Sequence, residues 1–214
     1  EIHCLVGENG AGKSTLMNIL FGMDVIRQTG GFEGRILMDG RETNIQSPKD
    51  AIKYGIGMVH QEFMLIPGFT VAQNIKLNRE PLKPNLVSRV IGHSMDSIDI
   101  EVMQKDAQKV LQRVDLQVDP SDHIAMLPVG IKQFVEICRE LDKENLRLLV
   151  FDEPTAALTE VEAAKLLECI HQFSREGIAV IFISHRLDEV LDVSDQIIIL
   201  RDGQLVAKGK RGEF

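Results

Sequence analysis

An α/β fold, with a mostly parallel sheet and an inserted helical segment, is predicted by three observations. First, Ile2 to Val6, Ile56 to Val59, Leu148 to Phe151, Ile178 to Ile183 and Ile197 to Leu200 are short, largely apolar runs. Runs of that length without polar alternation read as strands covered on both faces, the habit of parallel sheets. Second, helical patterns lie between them. Ile131, Phe134, Val135, Cys138 and Leu141 recur at helical spacing, and Thr159-Glu160-Val161-Glu162 is a capping box opening a helix that stops at Gly177. Third, the composition shifts between about Phe63 and Leu127. Pro67, Pro81, Pro84 and Pro120 punctuate that stretch, Asp99 to Val114 is a polar-faced helix, and no β-branched strand runs occur. An inserted helical subdomain over 63–141, within a core made of 1–62 and 142–214, follows.

In chain order, the first strand leads into Gly7-Glu8-Asn9-Gly10-Ala11-Gly12-Lys13-Ser14-Thr15, which fits G-x-x-x-x-G-K-[ST]. Leu16 to Phe21 then reads as a helix. The glycines let successive N–H groups point into one concavity, and the helix adds the positive end of its dipole. Lys13 is placed for the outer phosphates of a nucleotide and the Ser14 hydroxyl for Mg²⁺. A glycine-rich turn without this role would not need the lysine, the hydroxyl and both flanking elements. The pattern therefore predicts binding of a nucleoside triphosphate.

Arg35 to Met38, the turn Asp39-Gly40 and Arg41 to Ile45 form a predicted hairpin, and Ser47-Pro48 opens a short helix ending at Gly55. After Ile56 to Val59 come His60 and Gln61. The strand Leu148 to Phe151 ends in two carboxylates, Asp152 and Glu153, where ligands of an open parallel sheet gather. Asp152 is expected to hold Mg²⁺ through its water shell, and Glu153 to orient and partly deprotonate an attacking water. His185 follows Ile181 to Ser184. Gln61 or His185 alone would more often be an ordinary residue at a strand end.

The charge is −8, from 24 basic and 32 acidic residues, with no long basic block, which weighs against nucleic acid as the main partner. Cys4, Cys138 and Cys169 are far apart in sequence and read as reduced core residues. No apolar run approaches the ~18–20 residues that span a bilayer, so a membrane role has to come through a partner. The sequence starts inside a strand without Met and is expected to be a fragment.

The order of phosphate loop, glutamine, glycine-containing turn entering a helix, Asp-Glu and histidine resembles the ATP-binding-cassette ATPases, over essentially the whole chain. The resemblance implies a RecA-like core with a helical subdomain, ATP and Mg²⁺ as ligands, and hydrolysis where two cassettes meet head to tail. In its terms Gly7 to Thr15 (Gly7, Asn9, Gly10, Ala11, Gly12, Lys13, Ser14 and Thr15) are the Walker A loop, and Leu148 to Asp152 are Walker B. Glu153 is the catalytic glutamate, and Ala157-Leu158-Thr159 lies where the D-loop lies. Gln61 is the Q-loop glutamine, which binds Mg²⁺ and senses the membrane partner, and His185 is the histidine that contacts the γ-phosphate. Ser14, Gln61 and Asp152 are then the metal set.

One motif departs from the family pattern. Where the signature LSGGQ is expected, the chain reads Leu127-Pro128-Val129-Gly130-Ile131, with the helix expected from Ile131. Pro128 offers neither a side-chain donor nor an N–H, so the site that this signature closes on a partner cassette is expected to be weakened. Together with Pro154 to Thr159 and Gly57 to Glu62, this segment looks like the first of the two fused cassettes of bacterial sugar and nucleoside importers. That likeness implies a second cassette, transmembrane permease subunits, an extracellular solute-binding protein, and a place on the cytoplasmic side of the membrane. The strands that would carry an adenine-stacking aromatic precede Gly7 in the family, and Tyr54 is not placed to substitute, so weak nucleotide affinity is expected of these residues alone. The helical subdomain is the implied docking face for the permease. Whether Phe63, Met64, Leu65, Ile66 and Phe69 are core or an exposed patch is open. The rival readings are a cassette ATPase acting on nucleic acid and a clamp that binds ATP without hydrolysis. The first usually brings long coiled-coil arms or basic linkers, and the second has no need of Glu153.

Overall fold

The computed structural model describes residues 1–84 and 96–213 and divides into two compact units, Glu1–Gln61 with Lys143–Phe214, and Glu62–Asp142. Residues 85–95, within the expected helical insertion, lie outside the described part.

The first unit is built on a six-stranded sheet in the order β10-β9-β1-β8-β7-β4. The strands are β1 (Ile2–Val6), β4 (Ile56–Val59), β7 (Leu148–Asp152), β8 (Ala179–Ile183), β9 (Gln196–Arg201) and β10 (Gln204–Lys210). β9, β1, β8, β7 and β4 run parallel, and only β10 is antiparallel to its neighbour. Phe151, Phe182, Leu149, Ile2 and Ile56 are fully buried in these strands, as expected where both faces are covered. The first helix, α1, spans Lys13–Leu20 and starts earlier than the apolar pattern suggested. Gly12, at φ 98°, makes the turn into it, and Met17 seats it on Leu5, Val150 and Ile183. A short α2 (Asp24–Gln28) precedes the hairpin β2 (Ile36–Met38) and β3 (Arg41–Thr43). Next, α3 (Pro48–Lys53) is capped by Ser47, whose hydroxyl accepts the Asp50 N–H.

Farther on, α7 (Glu160–Arg175) has its complete capping box, with Thr159 and Glu162 satisfying each other's backbone. It buries Leu166, Ile170 and Phe173, and α8 (Leu187–Val193) leads into β9. Cys4, Cys138 and Cys169 are free and buried. Burial pushes the Cys4 thiol up to about 12.

The second unit packs α4 (Val71–Ile75), α5 (Ile100–Arg113) and α6 (Val129–Leu141) around Ile75, Leu111, Ile124, Phe134 and Ile137. It is not purely helical: β5 (Leu82–Lys83) pairs with β6 (Ser97–Ile98). Pro84 disfavours a helical conformation for Lys83, the residue before it, which suits the short β5. Nor does α6 begin at Ile131. Pro128 is its N-cap and Val129 its first residue, since a helix start needs no N–H from proline. The apolar stretch after Gln61 is mixed, with Leu65 buried and Met64 and Phe69 exposed. Inside this unit the buried Glu136 accepts from the Met64 N–H and from Arg139, and Arg139 donates to the Met64 carbonyl at 2.6 Å. Burial outweighs Arg139 and pushes the Glu136 carboxyl up to about 7.

Two glycines test whether backbone space, beyond φ alone, governs the core unit. Gly55, between α3 and β4, has φ 78°, and an added Cβ would lie 2.2 Å from the Asn145 carbonyl oxygen. Gly30 has φ 106° with nothing within 4 Å of such a Cβ. In urea unfolding, Gly30→Ala should cost about 1 kcal/mol and Gly55→Ala at least about 3 kcal/mol, or fail to accumulate. Equal costs at the two positions would contradict this account.

Candidate functional site

Parallel strands deliver their C-terminal ends to one edge, and the register decides what meets there. Leu5 pairs with Ile183, Ile183 with Asp152, and Val59 with Phe151. The segments just beyond, Gly7 onward, His60-Gln61, Glu153 and Ser184-His185, are therefore neighbours at a spacing of about 4.8 Å per strand.

Asn9, Gly10, Gly12, Lys13, Ser14, Thr15, Gln61, Asp152 and Glu153 line one cavity of about 210 Å³. Gly7 and Ala11 build its wall rather than its lining. A Cβ on Gly7 would fall 2.5 Å from the Leu200 carbonyl oxygen, so the loop lies tight against β9. Ala11 is buried, and its carbonyl accepts the Gly203 N–H at 3.2 Å. Gly10 has φ 83°, and a Cβ there would meet nothing within 4 Å, so the loop is open above it. The nearly buried Lys13 ammonium donates to the carbonyls of Gly7 at 2.6 Å and Glu8 at 3.1 Å, curling over the loop that precedes it. Among the described residues no side chain caps α1, which leaves its first-turn N–H groups to an anion.

At the other side, Glu153 sits at φ 48°, a left-handed conformation that costs a non-glycine residue about 1–3 kcal/mol. Its N–H donates to the Ile183 carbonyl at 2.9 Å, and its Oε1 is 3.2 Å from His185 Nδ1. His185 thus joins the site through Glu153, with its ring largely exposed. Burial, and then the adjacent Glu153 charge, raise the Asp152 carboxyl above its ordinary value, while His60 and Lys13 pull it partly back. His60 was not singled out from sequence. Its only signal was its place at a strand end beside Gln61.

The residues present fit both a polyphosphate and a cation. The loop offers N–H groups and an ammonium, and beside Glu153 the Asp152 carboxylate sits where burial disfavours its charge until a cation offsets it. Among the described residues no cluster of three His, Cys, Asp or Glu could hold a metal ion. No helix of the described residues is long and apolar enough to cross a membrane.

Fold and site together define a phosphate-loop nucleotide-binding protein of the α/β class. Residues 1–156 match the family model described as ABC transporter, and the chain belongs to that family. It is 42% identical over 210 residues to the ribose import ATP-binding protein RbsA of Rhodopirellula baltica, covering 98% of this chain and 38% of that protein. It is also 42% identical over 213 residues to the xylose import ATP-binding protein XylG of Moorella thermoacetica, covering 100% of this chain and 39% of that one. The chain thus spans about two fifths of the length of these curated relatives. Among solved structures it resembles a nucleotide-free ATP-binding cassette from an ABC transporter, with TM-score 0.80, 25% identity, and coverage of 100% of this chain and 81% of that one. It also resembles the dimeric post-hydrolysis state of the cassette MJ0796 bound to ADP and Pi, with TM-score 0.76, 26% identity, and coverage of 100% and 87%.

A carboxyl with a raised folded pKa contributes stability that is complete below its ordinary 3.8 and is lost as pH rises through the folded value. Ionised Asp152 therefore burdens the protein at neutral pH when no cation is bound. Asp152→Asn should melt a few degrees higher than the parent in EDTA at pH 7.5, with the gain shrinking as pH falls towards 4. The same variant should lose the extra stabilisation that Mg²⁺ adds to ATP. A lower melting temperature in EDTA would contradict the assignment.

Proposed function

We propose that the chain is the ATP-binding and ATP-hydrolysing cassette of an importer for a small polar solute, a sugar or a nucleoside. The observation that carries this reading is the single cavity shared by Lys13, Ser14, Gln61, Asp152 and Glu153, with His185 held against Glu153. The solute class rests on the relatives named for ribose and xylose import, which favour transport over action on nucleic acid.

In this reading the Gly7–Thr15 loop binds the phosphates through backbone N–H groups, and Lys13 exchanges its carbonyl contacts for the outer phosphate oxygens. Ser14, Asp152 and Gln61 would hold Mg²⁺, which when bound would supply neutralisation of phosphate charge. Glu153, aimed by its left-handed backbone, orients the attacking water and takes its proton. His185, held against Glu153, is the residue that would contact the terminal phosphate.

Relatives more than twice as long as this chain support a second cassette fused in the same polypeptide, and in this reading the cassette works with permease subunits and an external solute-binding protein. The cassette then works at the cytoplasmic face of the membrane. The exposed Met64 and Phe69 belong to the helical unit that would dock the permease. Pro128, as N-cap of α6, brings no hydroxyl to a partner's nucleotide, so the site it closes is the weaker of the pair.

Two experiments on the assembled transporter test this. Glu153→Gln should retain ATP binding and lower turnover at this site at least about 100-fold, trapping ATP between paired cassettes. Full binding with undiminished turnover would refute the role of Glu153. Pro128→Ser should raise ATPase activity several-fold. Unchanged activity would show that the proline is not limiting.

A further inference from the structure

Behind the site lies a buried polar cluster that the roles above do not use. Glu189 on α8, Thr155 and Ser184 are each no more than 3% exposed. Thr155 donates its hydroxyl to Glu189 Oε2 at 2.7 Å, and Ser184 donates to the same oxygen at 3.2 Å. The other oxygen, Oε1, faces Arg186 Nη1 at 2.7 Å. The Ser184 hydroxyl also accepts the Arg186 N–H at 3.0 Å.

Position in the chain gives this cluster its meaning. Thr155 is two residues after Glu153, in the turn that ends β7, and Ser184 is one residue before His185, in the turn that ends β8. One carboxylate oxygen thus receives a hydroxyl from each of the two turns whose side chains meet at the 3.2 Å Glu153–His185 contact. A buried carboxylate is costly unless paired and hydrogen-bonded, and this one is satisfied only while both turns stay where they are. Glu153 has the complementary need: its left-handed backbone relaxes unless the surroundings hold it. Besides the sheet ladder and the Glu153–His185 contact itself, the Glu153 N–H bond to Ile183 joins these segments, and the Glu189 clasp ties the two turns through their hydroxyls.

We propose that Glu189 is a positioning residue, which fixes the water-orienting Glu153 and its partner His185 relative to each other by gripping Thr155 and Ser184. The inference rests on the hydrolytic reading given above. Its consequence is asymmetric. Nucleotide binding through the Gly7–Thr15 loop does not pass through the clasp, whereas turnover requires the distance that the clasp sets, and small misplacements of reacting groups are costly in rate.

The test uses the full-length chain assembled with its permease. Thr155→Val keeps the side-chain volume and removes the donor. It should lower kcat about tenfold or more with KM for ATP changed less than about twofold, and Thr155→Ser should restore kcat. Glu189→Gln should resemble Thr155→Val, and the double variant should be no worse than either single change, since both break one unit. Without nucleotide, the NMR resonance of labelled His185 should move in Thr155→Val and return in Thr155→Ser. A parental kcat in Thr155→Val, a serine variant no better than valine, or multiplying losses in the double variant would each overturn the clasp. Absence of ATP turnover in the unsubstituted assembly would instead remove the hydrolytic reading, and the clasp with it. If Glu189→Gln does not fold, the threonine pair decides alone.

Discussion

The rest of this molecule depends on the parallel, in-register alignment of β1, β8, β7 and β4. A parallel sheet brings no chemistry of its own, but it sends every strand's C-terminal end to one edge. There the pairing of Leu5 with Ile183, and of Ile183 with Asp152, leaves the phosphate loop and the carboxylates adjacent. A slip of one residue in β7 would send Asp152 to the opposite face. The fully buried Phe151 and Phe182, paired across β7 and β8, make that slip expensive, because it would bring polar groups into both covered faces.

The site is correspondingly poor in self-sufficient stability. Asp152 is raised by burial and by its neighbour, Glu153 carries a strained backbone, and Lys13 is turned onto the carbonyls of its own loop. A cation would offset the Asp152 cost and phosphate oxygens can replace the carbonyls on Lys13, while the Glu153 backbone is unfavourable geometry held by the surrounding protein. The Thr155–Glu189–Ser184 cluster is the opposite case: it is buried, two hydroxyls satisfy one Glu189 oxygen, and Arg186 faces the other.

Much of this was legible in the sequence because the signals were local. Strands such as Leu148–Asp152 declared themselves by unbroken apolarity, and Thr159 with Glu162 marked the start of α7. The loop from Gly7 to Thr15 had both its residue types and its flanking elements in order. Less legible features depended on tertiary packing. β10 pairs through the Asp202-Gly203 turn, whose positive φ angles repeat those of Asp39-Gly40 in the first hairpin, but it is mostly exposed, Leu205 and Val206 included, and has no alternating apolar pattern. The two-residue ribbon of β5 and β6 is too short for any periodicity. Glu189 gave no warning either: an acidic residue in the first turn of a helix reads as ordinary dipole complement, and only the fold brings Thr155 and Ser184 onto it.

The central claim is that the Lys13 loop and Asp152 act on one metal-bound triphosphate. It is tested most directly by a crystal structure of the chain with Mg²⁺ and a non-hydrolysable ATP analogue. The account predicts phosphates cradled by the backbone from Gly7 to Thr15, with the metal on the Ser14 hydroxyl and Asp152 joined to it directly or through one water. Phosphates bound elsewhere, or a metal with Asp152 farther away than a single water can bridge, would contradict it.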